Sequence, residues 1–257
     1  MKLKQIAAVV ALAAASVPSF ASIATPSTGN GELFVAIYDA ADQASYTLDL
    51  GLFVNDFNGN STYSYTLNSA NWNAFVALAG TDNLQFAVIG GDTLGGTTAN
   101  PRRLFTTVNS TTPTITGPQV NTAGANTNTF IGYTTSASAN TTHTGAATVN
   151  GDSFDVVGNN AYFLTQSMNT FNGVTAAAGW GNNVAAGTAA TFMSFNQVNA
   201  SAATATVNTT FAGAWTLSQQ GNNWVVQYSA VPDADGLALM VAGFGAVGFL
   251  ARRRKAA

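Results

Sequence analysis

Apolar and polar residues alternate with period two in several separate segments of this chain. Over Ser45 to Leu52, Tyr46, Leu48, Leu50 and Leu52 alternate with Ser45, Thr47, Asp49 and Gly51, which predicts a strand with one face packed and the other wet. Just before it, Glu32 to Tyr38 is nearly continuous in apolar residues between Asn30-Gly31 and Asp39, a pattern suited to a strand buried on both faces. Asn58-Gly59 marks a turn ahead of a strand over Thr62 to Leu67. Ser69 to Ala79 breaks the rhythm. There Trp72, Phe75, Val76 and Ala79 recur at helical spacing behind Ser69 as cap, so a short helix is expected.

Strand alternation returns at Leu84, Phe86 and Val88, closed by Gly90-Gly91, and again over Leu104 to Val108 after Pro101. Phe154 to Val157, Ala161 to Leu164, Thr191 to Val198 and Ala203 to Val207 carry the same signal. The clearest unit is the last. Phe211, Gly213, Trp215 and Leu217 alternate, Gln220-Gly221-Asn222-Asn223 turns, and Trp224, Val226 and Tyr228 alternate back, a hairpin with aromatic residues placed for cross-strand pairing. Residues 109–150 are low in complexity and read as a long loop or short surface strands, with Ile115, Val120, Phe130, Ile131 and Tyr133 as anchors. A second Gly/Ala-rich stretch, Gly173 to Ala190, surrounds Trp180. Many short strands with Gly/Asn turns and no strong fixed-period repeat predict an all-β, antiparallel β-sandwich-like domain with one short helix.

The ends follow other rules. Lys2 and Lys4, an apolar run from Ile6 to Ala15, and Ser19-Phe20-Ala21 form a signal peptide over 1–21 with cleavage after Ala21. At the other end, residues 231–257 hold a turn-forming acidic hexad (231–236), an uncharged apolar stretch (237–251) and a basic tail (252–257). As a helix the apolar stretch is about 22 Å long against a hydrocarbon core of about 30 Å. It can sit in a bilayer with the basic side chains snorkelling. Ala238, Ala242 and Ala246 give it a small-residue stripe. Arg252, Arg253, Arg254 and Lys255 hold their end in the cytoplasm. A buried core helix, the other reading of such a run, rarely ends in four consecutive cations.

Val231, Pro232, Asp233 and Gly236, the apolar helix and the terminal Arg cluster together resemble PEP-CTERM-type sorting signals, in their Val-Pro-Asp variant; Ala234-Asp235 stand where that variant has Ser. The resemblance covers only the C-terminal signal. It implies handling by an exosortase-type membrane protease in a Gram-negative bacterium that makes exopolysaccharide. It also implies a transient inner-membrane intermediate and delivery to the cell surface or extracellular matrix. The expected partners are therefore signal peptidase, the sorting protease, the membrane through the C-terminal helix and, at the destination, exopolysaccharide.

Charge sharpens this. Of the 8 Lys and Arg residues, only Arg102 and Arg103 lie in the body, residues 22–230, against nine of the 11 acidic residues, a net charge of −7. Such a body cannot neutralise phosphates, which excludes nucleic acid and makes anionic lipid surfaces poor partners. With no cysteine, disulfides and thiolate chemistry are excluded.

Candidate chemistry is sparse, and neither a catalytic group nor a cofactor is expected. His143, the single histidine, stands in a Thr-rich stretch without the apolar flanks that hold a catalytic base, and one His without Cys leaves only carboxylates for zinc. Asp39 with Asp42, and Asp152 with Asp155, are candidate glycosidase carboxylates, though aspartate at such junctions is usually a turn former. Asn55 to Asn60 is rich in oxygen but lacks EF-hand spacing, and Gly90 to Gly96 lacks the lysine of a phosphate loop and reads as a hairpin tip. The sequons at Asn60, Asn109, Asn140 and Asn208 are expected by chance in this composition. Trp72, Trp180, Trp215 and Trp224 are candidate sugar platforms; Trp215 and Trp224 lie in phase with apolar neighbours, so Trp180, between Gly179 and Gly181, is the expected exposed one. The sequence thus predicts a non-enzymatic, biofilm- or exopolysaccharide-associated surface protein. The alternatives are a carbohydrate-binding module or weak glycan-active enzyme, and an unprocessed, membrane-anchored ectodomain.

Overall fold

The computed structural model describes residues 23–135, 151–199 and 206–230. The signal-peptide residues Ser19 and Ala21, the motif Val231, Pro232, Asp233 and Gly236, the apolar stretch 237–251, the basic stop Arg252 to Lys255, His143 and Asn140 lie outside the described residues, as does most of the strand expected at Ala203 to Val207. Among the described residues no helix is long and apolar enough to cross a membrane.

The body is one antiparallel sheet. Its strands are β1 (Glu32–Asp39), β2 (Ala44–Phe53), β3 (Tyr63–Leu67), β4 (Gln85–Asp92), β5 (Arg102–Val108), β6 (Asp152–Val156), β7 (Val184–Ala185), β8 (Ala190–Gln197), β9 (Val207–Gln220) and β10 (Asn223–Ser229), with helices α1 (Ala70–Ala79) and α2 (Gly117–Thr135). The strand order is β3-β10-β9-β8-β5-β4-β1-β2-β6, and β7 pairs with β4 off this path. The sheet curls into a half-barrel. Trp72 on α1 shows how far: its ring lies 5.2 Å from Tyr46 on β2 and 6.2 Å from Trp224 on β10, strands near opposite ends of the order. Two register shifts, between Leu33 and Phe34 on β1 and between Thr191 and Met193 on β8, add the local bend and twist that curl a sheet.

The expected sandwich is therefore corrected to a single curled sheet, and one helix to two. The reason lies in β1, which is buried on both faces as its sequence predicts. Leu33, Val35 and Ile37 enter the core inside the curl, with α1. Phe34, Ala36 and Tyr38 enter a second core on the outer face. That outer face needs a cover, and α2 with the irregular chain around Phe163, Phe171 and Trp180 supplies it in place of a second sheet. The same cover buries Ser45, Thr47 and Asp49, the face of β2 expected to be wet. The Ser45 hydroxyl accepts a hydrogen bond from the Phe163 N–H (3.1 Å).

Helix α2 replaces the loop or surface strands expected within 109–150. The Thr116 N–H donates to Oε1 of Gln119 (2.7 Å), the reciprocal half of a capping box, with Pro118 in the first turn. Val120, Ala123, Thr127, Phe130, Ile131 and Thr134 are buried at spacings of three and four. Ile115 anchors the approach and Tyr133 is half-buried. The strand expected at Ala161 to Leu164 is a run of turns, held by local bonds such as Thr165 N–H to the Tyr162 carbonyl (3.0 Å). Phe163 has left the ladder to stack on Tyr38 (5.2 Å) and meet Phe130 edge-on (5.6 Å). Gly90 and Gly91, expected in a hairpin tip, lie within β4. A Cβ on Gly91 would stand 2.8 Å from the Arg103 carbonyl oxygen.

Other expectations hold. Ser69 caps α1, its hydroxyl accepting from the Trp72 N–H (3.0 Å), and Trp72, Phe75 and Ala79 are buried. The β9–β10 hairpin pairs Gln220 with Asn223 around Gly221-Asn222, with Gly221 at φ 62° in the first central position that such two-residue loops reserve for glycine. Gly213 on β9 is needed for a different reason: its N–H donates to the Tyr228 hydroxyl (3.1 Å), and a Cβ there would lie 2.5 Å from that ring.

Candidate functional site

The candidate residues fall mostly into structural service. Asp39 forms a turn, its Oδ1 accepting from the N–H groups of Ala41 and Asp42. Asp152 and Asp155 both lie on β6, three residues apart, and so on opposite faces. They cannot flank one glycosidic bond. Arg103 pairs with Asp92 (3.1 Å) and reaches Asn55, while Arg102 Nε donates to the Thr93 carbonyl (3.0 Å). Both body cations thus brace strand ends. In the oxygen-rich loop, Asn58 Oδ1 accepts from the Asn60 N–H (3.0 Å) and Phe57 turns inward among Phe192, Phe211 and Tyr228. Among the described residues no three His, Cys, Asp or Glu side chains gather as metal ligands. The Asn109 side chain accepts from the Gly181 N–H (2.8 Å), so this sequon is part of the fold.

Trp180 is not a platform. It is 4 % exposed, stacks on Phe195 at 5.3 Å and donates its indole N–H to the Thr114 carbonyl (3.1 Å). Gly179, at φ 79°, lets the chain turn this ring inward against the outer core. Trp72 and Trp215 are buried as well. Trp224 is the tryptophan left half-exposed.

Two clefts remain. One, of about 360 Å³, lies along the seam between β3 and β6, with Tyr46, Tyr65, Ser69 and Asp152 on its walls. Asp152 is its hub: Oδ2 accepts from Tyr46 (2.7 Å) and from Ser69, and Oδ1 from the Asn71 amide (2.9 Å). Burial, then the charge of Asp152, pushes the Tyr46 phenol well above its ordinary range, so it stays protonated and donates. These four side chains form a clasp joining α1 and its cap to β2 and β6.

The other cleft, of about 390 Å³, opens at the mouth of the half-barrel between the loop after α1 (Thr81, Asp82, Asn83), β7 and its continuation, and the β9–β10 hairpin (Ser218, Gln219, Trp224). A strap crosses this mouth: the Ala186 N–H donates to the Leu84 carbonyl and the Gly187 N–H to the Leu217 carbonyl, both at 2.8 Å. The Gln85 side chain belongs elsewhere, since its Oε1 accepts from Tyr38 (2.8 Å) and Asn183 (2.6 Å).

The chain matches no family model, no curated protein and no solved structure. Its function therefore has to be argued from its own residues.

One buried acid lines neither of these clefts. Asp49 lies at the β2 bulge beside Gly51, whose N–H it accepts (2.8 Å). Burial raises its pKa to about 7; the Gly51 bond opposes that rise and Glu32 adds to it. A carboxyl raised in the folded state favours folding below its unfolded pKa, and that contribution is lost as pH climbs through 7. The melting temperature is therefore expected to be higher at pH 5 than at pH 8, by on the order of 5 °C. Asp49→Asn should flatten this dependence; an unchanged slope in the variant would assign it to another group.

Proposed function

We propose that this chain is a non-enzymatic, exported surface or extracellular-matrix protein associated with exopolysaccharide or biofilm. Signal peptidase removes residues 1–21, and an exosortase-type protease processes the 231–236 motif while the apolar stretch 237–251 holds the inner membrane. The observation that carries this reading is a two-ended address, signal peptide and basic-capped sorting motif, around a body whose cations are confined to Arg102 and Arg103. The fold is compatible with it. Strand β10 ends at Ser229, so the motif begins two residues beyond the sheet. Asp39, Asp152 and both body cations are engaged in hydrogen bonds that hold the fold.

Intact mass of the protein from surface and medium fractions is the test. A mass corresponding to Ser22 through about Val231, with or without added sugar, is the expected result. A mass retaining residues through Ala257 would overturn processing and leave a membrane-anchored ectodomain.

A further inference from the structure

The mouth cleft combines three features that point to one ligand chemistry. Trp224 presents a half-exposed ring, and its other surroundings hold it firmly: Trp72 lies 6.2 Å away beneath it, and Gln219 and Leu67 flank it across the strands. Around the ring stand neutral hydrogen-bonding groups, Thr81, Asn83 and Gln219, which both donate and accept. The charge lining the cleft is Asp82 alone, with no cation among its walls. Barrel mouths are preferred places for small ligands, and a volume of this size is at the small end of such sites.

We infer that this cleft binds a neutral sugar residue of a polysaccharide, one pyranose face lying on Trp224 and its hydroxyls bonding to Asn83 and Gln219. An aromatic face suits the C–H face of a pyranose, which is apolar while its rim is polar. Phosphorylated, sulfated or uronic ligands meet Asp82 with no cation to offset it, so the site discriminates against them. The rigid parts are already in place: the strap through Ala186 and Gly187 fixes one wall, and the two-residue hairpin turn fixes the other, which limits the ordering cost of binding. The inference deepens the exopolysaccharide-associated reading, and rests on it for where such a sugar is met. The cleft chemistry does not depend on how the chain is exported.

The test is titration of the full chain with neutral tetrasaccharides (cello-, manno- and galacto-oligosaccharides) and with oligogalacturonate, followed by tryptophan fluorescence and calorimetry. Saturable binding of at least one neutral series, and none of the uronate, is expected. Trp224→Ala should weaken it about tenfold or more. Because Trp224 also packs on Trp72, Asn83→Ala and Gln219→Ala, at exposed positions, provide variants that leave folding intact and should each weaken binding severalfold. Silence across the neutral series overturns the inference, as does binding that all three variants leave unchanged. Neither result touches the intact-mass readout, so failure of the cleft and failure of the export reading remain separate.

Discussion

Trp215→Ala is expected to lower the unfolding free energy by about 3–5 kcal/mol, the range for truncating a large buried aromatic residue. The Trp215 side chain is fully buried inside the curl, with ring centroids of Tyr228 at 5.4 Å, Phe192 at 6.0 Å, and Phe57 and Tyr65 at 6.5 Å. Those four side chains come from β10, β8, the loop before β3, and β3 itself, so the vacancy would open inside the curl at the β3-β10-β9-β8 end of the sheet. The surrounding rings cannot collapse into it without shifting several strands. The indole N–H makes no hydrogen bond. Trp215→Phe therefore loses volume and no bond, and should cost about 1–3 kcal/mol. Denaturant midpoints of the two variants measure this. A Trp215→Ala loss under about 1 kcal/mol would mean that the curl does not depend on this ring.

Asp152→Ala should cost about 2–4 kcal/mol, because it takes their carboxylate acceptor from the Tyr46 and Ser69 hydroxyls and leaves the Asn71 amide with the Asp152 backbone carbonyl in place of both Asp152 acceptors. Tyr46 suffers most from this loss, because its ring is buried against Trp72 and Phe75 and its phenol is held beside the vacated position. Asp152→Asn keeps one carbonyl acceptor and should recover about half of the loss. Urea unfolding of both variants, with Tyr46→Phe and the double variant completing a cycle, isolates the pair. Additive single losses would show that Asp152 and Tyr46 act independently and that the clasp is not a unit.

The elements that were legible in the sequence share one property: each is signalled by residues close together in the chain. The period of β1, β2, β5 and β8, the Ser69 cap of α1, and the Gly221 turn of the last hairpin are each written in a window of a few residues. Helix α2 was legible in principle. Thr116 and Gln119 form the capping-box spacing with Pro118 between them, and Val120, Ala123, Phe130 and Ile131 keep helical spacing. The abundance of Thr, Asn and Gly, poor helix formers, obscured that signal. Phe163 misled for the opposite reason. Its local pattern reads as strand, and its place is set by Tyr38 and Phe130, far away in the chain.

The tryptophans show the same division at the candidate site. Trp180 and Trp224 could not be ranked by exposure from neighbours in sequence, because exposure depends on what covers each ring. Phe195 and the Thr114 carbonyl cover Trp180, whereas the outer part of Trp224 lies at the open mouth. Likewise, Asp152 read as a turn former or catalytic acid, and became an acceptor hub only when α1 was laid against β2 and β6.

By itself the sequence determined the antiparallel β character of the body and, having no cysteine, its lack of disulfides; the export signals and the poor match to nucleic acid are proposals drawn from it. These depend on composition, charge and short-range periodicity. The tertiary structure alone decided that one curled sheet with two cores replaces a sandwich, that α2 covers the outer face, and that Trp224 rather than Trp180 meets the solvent. Each of those outcomes is a contact between residues distant in the chain, and no local window carries that information.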